Sequence, residues 1–534
     1  MSHPFANASQ PFGSARFAVP EELAAAGYFT RDANALFMGF YDRLPIWYSG
    51  LGGVVCVAGG RSGKLRDLLS FSILCGMYSG TLLILDIKGG ELASISRFQV
   101  PGKFCVYWNP GRVPGLPYTR INPVAFLHAG SPTLVSDAKV FCENAIVATG
   151  AAQSVYFEGR AREMLEALVL AIVKRDGVLT LPALHEAINL MVRGGDDWLN
   201  LAFEMSESGF ASVERIEEEI AAGRDDSSGG FKGILGEITR AFACLSDPAL
   251  LESVSPPYDF CLSELTRSDQ AYNLYVMPPS DFVEAWSAVI KTFFVAARTY
   301  KARAPAAPRQ TWILDECGNL GAFPLVVRLY TRDAGMGIRP WSFWQSTKQM
   351  GAIAPDGESI LMASAACRAF FGIRDEGTAQ SLSRMIGSET LAYFDPRQRE
   401  ASRQGAIRAA RALFTGGNPL QAGLELAHHR RMAATPSLKE RRLLTPDELL
   451  GLPDDRMILF ADGLSHPVHA TRRAYYDLPQ MAGRYHPNPF FPPESHVQVM
   501  TKRGRVWRPV IHAPVPERFA HYPQYADGLW SYIG

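Results

Sequence analysis

Short apolar runs alternate along this chain with longer stretches of helical periodicity, the pattern of a mainly parallel sheet covered by helices. The clearest strands are Gly53–Val57, Thr81–Leu85, Phe104–Trp108, Ala271–Val276 and Thr311–Leu314, and a further one leads into Phe343, Trp344 and Gln345. Between the third and fourth of these the texture changes. From about Ala129 to Leu250 the period is helical: Ala161, Met164, Leu165 and Leu168 recur at helical spacing within Glu158 to Val173. Leu181 to Met191 and Val213 to Ala222 repeat the theme. An all-α domain inserted into an α/β domain is predicted, with the loop Asp225 to Gly230 as a flexible break inside it. The uncharged stretch Leu68 to Leu85 is about as long as a bilayer is thick, but serines and glycines interrupt it. It reads as helix, turn at Tyr78-Ser79-Gly80, and strand.

Composition narrows the class without naming a partner. The 534 residues are too many for one ordinary core. Fifty-three basic residues balance 53 acidic ones, so the whole-chain charge favours neither nucleic acid nor membrane. The eight cysteines are scattered without a C-x-x-C pair and read as small buried hydrophobes in a reducing compartment. Met1 to Phe12 lacks the layout of a secretory signal, so a cytoplasmic protein is expected. Two segments break the average. Arg397 to Arg442 holds ten basic residues against Glu400, Glu425 and Glu440, and reads either as a contact for single-stranded DNA or as a solvated surface. From Pro479 onward the chain is too apolar for a disordered tail and too rich in proline for a helix. An extended arm is expected there, which binds a partner or covers a sheet edge.

The chemistry sits at strand ends. Gly53–Val57 runs into Ala58-Gly59-Gly60-Arg61-Ser62-Gly63-Lys64-Leu65 and then an apolar helix. Glycines there let backbone N–H groups wrap a phosphate, the helix start adds positive dipole, and Lys64 reaches the outer phosphate oxygens. Two positions depart from the phosphate-loop pattern: Ala58 replaces its first glycine, and Leu65 replaces the hydroxyl that binds Mg2+. A glycine-rich turn with a surface lysine would look alike in isolation. Downstream, Thr311–Leu314 ends in Asp315, suited to Mg2+ through water, and Glu316, suited to polarising an attacking water. Gln345 ends another strand, where it can sense a phosphate or simply form a turn, and Lys88 follows a third. Arg332 and Arg374 are candidates for an arginine that stabilises phosphoryl-transfer charge in a neighbouring copy. The residues therefore predict a P-loop ATPase using ATP and Mg2+. Gly59, Gly60, Arg61, Ser62, Gly63, Lys64 and Leu65 hold the nucleotide, Asp315 the metal, and Glu316, Gln345, Arg374 and Arg332 serve catalysis.

The order of these motifs resembles the type IV secretion coupling proteins, the TraG/TraD-like conjugative DNA transfer family. The likeness begins at Gly13-Ser14-Ala15-Arg16-Phe17 and continues through Asp86-Ile87-Lys88-Gly89, Asn122-Pro123 and Leu314-Asp315-Glu316-Cys317-Gly318-Asn319. Gly335 to Arg339, Gln345-Ser346, Thr378-Ala379, Leu382-Ser383, Gly387 and Arg442 to Leu449 follow, so similarity spans roughly Gly13 to Tyr476. Gly90 stands where the family usually has an acidic residue, with Glu91 one place later. The resemblance implies a RecA-like domain interrupted by an all-α domain facing the substrate, assembled as a hexameric ring with ATP sites between subunits. Residues 1–130 would hold the N-terminal segment and the first part of the nucleotide-binding domain, 131–250 the inserted domain, 251–478 the second part, and 479–534 the C-terminal arm. The implied function is an ATP-driven coupling protein that passes DNA-protein or protein substrates to a type IV secretion channel. Implied partners are channel components, a relaxase–DNA complex or effector proteins, and single-stranded DNA. Family members commonly begin with transmembrane helices, so contact with the inner face of the bacterial inner membrane is expected through a partner protein. A non-hydrolysing receptor in the same system, its ATP site degenerate at Ala58 and Leu65, is the alternative.

Overall fold

A computed structural model describes residues 10–97, 102–148, 152–224, 229–393, 395–414, 418–434 and 436–534. Within them the first half of the sheet comprises β1 (Leu36–Tyr41), β2 (Leu44–Tyr48), β3 (Val54–Ala58), β4 (Thr81–Leu85) and β5 (Lys103–Trp108). After a helical stretch come β6 (Ala271–Val276), β7 (Gln310–Leu314), β8 (Ile338–Trp344), β9 (Cys367–Phe371), β10 (Ser388–Tyr393) and β11 (Ser437–Arg442). The chain finishes with β12 (Arg456–Ala461), β13 (Val468–Thr471), β14 (His496–Thr501), β15 (Gly504–Pro514) and β16 (Leu529–Ile533).

Eleven strands form one sheet in the order β2-β1-β13-β12-β9-β3-β8-β7-β4-β6-β5. From β9 to β5 every neighbouring pair is parallel, whereas β12, β13, β1 and β2 extend the sheet by antiparallel pairing. The parallel strands have no polar face because helices cover both sides. Val54, Cys56 and Ala58 enter one hydrophobic cluster, and Val55 and Val57 enter the other. The same alternation divides Leu82 and Ile84 from Leu83 and Leu85. The antiparallel extension escaped the sequence reading because β1 is an apolar run beside a polar turn, without a periodicity of its own.

Between β5 and β6 the chain is helical, with helices at Leu134–Ala145, Ala152–Asp176, Leu181–Arg193, Asp196–Ser206, Ala211–Arg224 and Gly230–Phe242. Local chemistry sets their limits. Thr180 caps the third by accepting from the Ala183 N–H at 3.3 Å, with Pro182 in its first turn. Their apolar faces, including Leu165, Leu168, Ile188 and Ile238, join the cluster that covers one side of the sheet. Of the expected loop Asp225 to Gly230, residues 225–228 lie outside the described residues, as do residues 1–9 of the N-terminus. The stretch Leu68 to Leu85 is a short helical segment, a turn and β4, and no helix among the described residues is long and apolar enough to cross a membrane. Six cysteines are buried as expected, but Cys244 is half-buried and Cys261 exposed.

The basic stretch forms two helices, Pro396–Phe414 and Pro419–Ala434, carried on the antiparallel ribbon of β10 and β11. The segment after Pro479 is a three-stranded antiparallel sheet, β14-β15-β16, rather than an extended strap. It does cover a sheet edge. Gln524 donates its amide to the Lys103 carbonyl at 2.8 Å and accepts from the Cys105 N–H at 3.0 Å. One side chain thereby satisfies backbone groups of β5, the last strand of the large sheet.

Candidate functional site

Parallel strands deliver their carboxyl ends to one edge of the sheet, and the predicted residues meet there because of strand order. β8 lies between β3 and β7, with Val57 opposite Trp344 and Leu314 opposite Ser342. The loop after β3, the Asp315-Glu316 pair after β7 and Gln345 after β8 therefore leave the sheet side by side.

The loop Gly59–Leu65 is shaped by close backbone approach. A Cβ on Gly59 would lie 2.2 Å from the Gly372 carbonyl, so glycine is required, whereas the space over Gly60 is open. Arg61 and Gly63 have positive φ, the kind of backbone from which anion-binding nests are built, and the Ser62 N–H between them donates to the Gly59 carbonyl at 3.2 Å. The helix that follows opens as a π-type turn over Leu65–Leu69, a wide turn common at functional sites. Beneath the loop lies a buried ion pair. Arg472 donates to the Ser62 carbonyl at 2.9 Å and to Asp67 at 2.8 Å, and its guanidinium stacks 3.8 Å from the centre of the Phe371 ring. Arg472 is about four hundred residues from the loop, so no local signal could have revealed it.

Lys64 reaches across to β7, with its Nζ 2.6 Å from Asp315 Oδ1 and 2.8 Å from Glu316 Oε1. Lys88 approaches the same Glu316 oxygen at 3.3 Å. Burial alone would lower the Lys64 pKa, but Asp315 and Glu316 outweigh it and leave the ammonium raised. Glu316 shows the opposite balance: burial pushes its pKa up, and Lys64 with Lys88 brings it below the usual value. Glu316 also adopts a left-handed backbone, φ 46°, uncommon for a residue with a long side chain and frequent where a site stores strain. On the next strand Asp86 is fully buried, accepts from the Ala93 N–H at 2.9 Å, and is pushed up to about 7, mainly by burial.

The remaining candidates divide. Gln345 is exposed beside the cluster, and its N–H donates to Gln349 Oε1 at 2.9 Å. Arg374 follows β9 and lies at its own phosphate-type loop, since its Cγ would be 3.4 Å from a Cβ on Gly59. Arg332 is exposed ahead of β8, at the opposite edge of the sheet from Lys64. Leu65 lines a cleft of about 1380 Å³ together with Arg61, Lys64, Arg66 and Lys88. Its far wall comes from the C-terminal segment, through Phe490, Phe491 and Trp507, which the sequence reading did not connect to the site. Chemically, the edge combines a glycine-rich loop at a helix start, four cations and two carboxylates, a set that can hold a phosphate chain with a divalent metal.

Comparison with known proteins agrees with this layout. The family described as type IV secretory system conjugative DNA transfer matches residues 14–411 and 426–498. The conjugal transfer protein TraG of Escherichia coli is 24% identical over 486 residues, which cover 83% of this chain and 71% of that protein. The unbound monoclinic form of the bacterial conjugative coupling protein TrwBdeltaN70 superposes with a TM-score of 0.60 at 15% identity, covering 86% of this chain and 94% of the other. TrwB in complex with ADP and Mg2+ gives 0.54 at 16% identity, over 86% and 94% of the two chains. These neighbours share the fold: an α/β, RecA-like domain with a helical insertion. The unmatched stretch 412–425 falls in the basic helical hairpin, and the match ends within β14.

Proposed function

The chain belongs to the type IV secretory system conjugative DNA transfer family, and from that premise we propose that it is an ATP-hydrolysing coupling protein whose site lies at the carboxyl edge of β3, β8 and β7. The observation that carries this reading is the meeting of Lys64 with Asp315 and Glu316 across 252 residues of chain. Bound Mg2+ would neutralise charge on the outer phosphates and fits Asp315, whose carboxylate is now balanced by the Lys64 ammonium. Lys64 then turns from the carboxylates to the phosphate oxygens, and the N–H groups of Gly59 to Lys64 wrap the inner phosphate. Glu316, freed of one cation, orients and deprotonates the attacking water, Gln345 positions it, and Arg374 or Arg332 stabilises the developing charge. The domain limits 1–130, 131–250, 251–478 and 479–534, the hexameric ring, delivery of relaxase–DNA or protein cargo to a secretion channel, and attachment to the inner face of the inner membrane through a partner belong to the same proposal.

Steady-state ATP hydrolysis with Glu316→Gln as control tests the chemistry. The variant should keep nucleotide affinity and lose about 10²- to 10⁴-fold in rate, the range of a general base. Leu65, in place of the metal-binding hydroxyl, favours a second reading as a non-hydrolysing receptor. Absence of hydrolysis alongside measurable cargo binding would select it.

A further inference from the structure

Three large aromatic rings stand in solvent at the mouth of the phosphate cleft. Phe490 is 57% exposed, Phe491 72% and Trp507 56%, in a segment whose other aromatics pack against each other or the core. Their backbone is nonetheless held firmly. Asn488 donates its side-chain amide to Glu91 at 2.7 Å and accepts the Phe490 N–H at 3.0 Å, and the Phe491 N–H donates to the Asn488 carbonyl at 2.9 Å. Pro487, Pro489 and Pro492 restrict the same turn. Trp507 is fixed by its place opposite Gln498 in the β14–β15 pair. The anchor is Glu91, and its neighbour Gly90 has φ 79°, a backbone that L side chains rarely adopt. Phe490 thus lies over Gly89, with its ring tip 3.8 Å from where a Cβ would be, one residue from Lys88 and the Glu316 cluster.

One cleft therefore has a cationic floor that suits a phosphate chain and an aromatic rim that suits a flat heterocycle, and a nucleotide carries both. We propose that the C-terminal segment closes the nucleotide site of its own subunit, with Phe490 and Trp507 stacking on the base of the bound nucleotide. This rests on the reading of Gly59–Leu65 as a phosphate loop and adds the base to it. Phe491, the most exposed of the three, forms the outer lip. The floor takes the phosphates of any nucleoside triphosphate, so the rim adds affinity for the base and little discrimination among triphosphates on charge.

The test compares ATP with inorganic tripolyphosphate, which has the phosphates and no base, by calorimetry on the full chain. Trp507 fluorescence is followed in parallel, with the chain's other tryptophans removed from the signal by subtracting the Trp507→Leu protein. In the wild-type protein ATP should bind more tightly than tripolyphosphate and quench Trp507, which tripolyphosphate should not do. Phe490→Ala and Trp507→Leu should each weaken ATP by about tenfold, in the range of one lost base–aromatic stack, and leave tripolyphosphate unchanged. Phe490→Tyr should keep ATP affinity, which separates a stacking role from a folding defect. Unchanged ATP affinity in both variants, or equal losses for ATP and tripolyphosphate, would overturn the clamp and leave the phosphate loop standing. Failure of the wild type to bind either probe would instead count against the phosphate loop itself. Loss of self-association in Phe490→Ala with ATP affinity intact would assign the rim to a second copy of the chain and also overturn the clamp.

Discussion

Two carboxylates hold Lys64, the residue proposed to reach the phosphates. Replacing it by methionine leaves buried Asp315 and half-buried Glu316 beside each other with one fewer cation, so Lys64→Met should both abolish nucleotide binding and lower the midpoint of thermal unfolding. A wild-type midpoint would mean the pair contributes nothing to the fold. Arg472 makes a sharper case, because both it and Asp67 are removed from water. Breaking such a pair from one side costs about 3–5 kcal/mol where the remaining charge is uncompensated, but Asp67 keeps Arg66 as a second partner, at 2.5 and 2.8 Å. Arg472→Met should therefore destabilise by less than that and weaken ATP binding through the Ser62 carbonyl, while Arg472→Met combined with Asp67→Leu should recover stability without the affinity. Leu65 offers a gain rather than a loss. It starts the π-type turn at the cleft wall, where Leu65→Thr adds a hydroxyl ligand for Mg2+. Hydrolysis measured against Mg2+ concentration should saturate at lower metal in that variant, and an unchanged curve would show that Asp315 alone governs metal affinity.

Among the elements, the helix Ser287–Arg303 carries a lysine with no acid beside it among the described residues. Lys291 is buried in it near Cys317 and 5.8 Å from the centre of the Phe323 ring. Burial brings its pKa down to about 8 from 10.5. The unfolded chain holds the proton more tightly than the folded one, so stability rises with pH between about 8 and 10.5 and carries its full penalty below 8. Lys291→Met should raise the unfolding midpoint at pH 7, by an amount equivalent to no more than about 3 kcal/mol, and the gain should vanish near pH 10.5. What the sequence disclosed at this scale follows from periodicity. The parallel strands and long helices were legible because burial on two faces, or on one stripe, writes itself into neighbouring residues. The place of the antiparallel extension was not, because it is set by a partner far along the chain, Phe40 with Thr471, and the local β14–β15 hairpin was hidden by the prolines around it. In the site, Lys64, Asp315 and Glu316 were readable as strand-end residues. Asp86 entered only as part of a motif, and Arg472 and Phe490 gave no local sign of their role.

At the scale of the whole molecule the proposed ring raises the question of which copy supplies the arginine. Arg374 lies against Gly59 of its own chain, so it is placed to serve its own site. Arg332 lies at the far edge of the sheet and can meet a site only if that site belongs to a neighbour. A ring makes this distinction measurable by mixing inactive proteins. Glu316→Gln disables the site on its own subunit, whereas a trans-acting Arg332→Ala disables the site next door. In a mixed ring, an interface with intact Glu316 on one side and intact Arg332 on the other is complete, and random equal mixing produces about one such interface in four. Glu316→Gln mixed with Arg332→Ala should therefore recover up to about a quarter of wild-type hydrolysis, although each alone has almost none. Glu316→Gln mixed with Arg374→Ala should recover none, because both defects fall on sites that need two intact residues from one chain. Recovery in the second mixture and not the first would exchange the two roles. Activity independent of protein concentration, with no recovery in either mixture, would mean that each subunit works alone and that the ring is not required for hydrolysis.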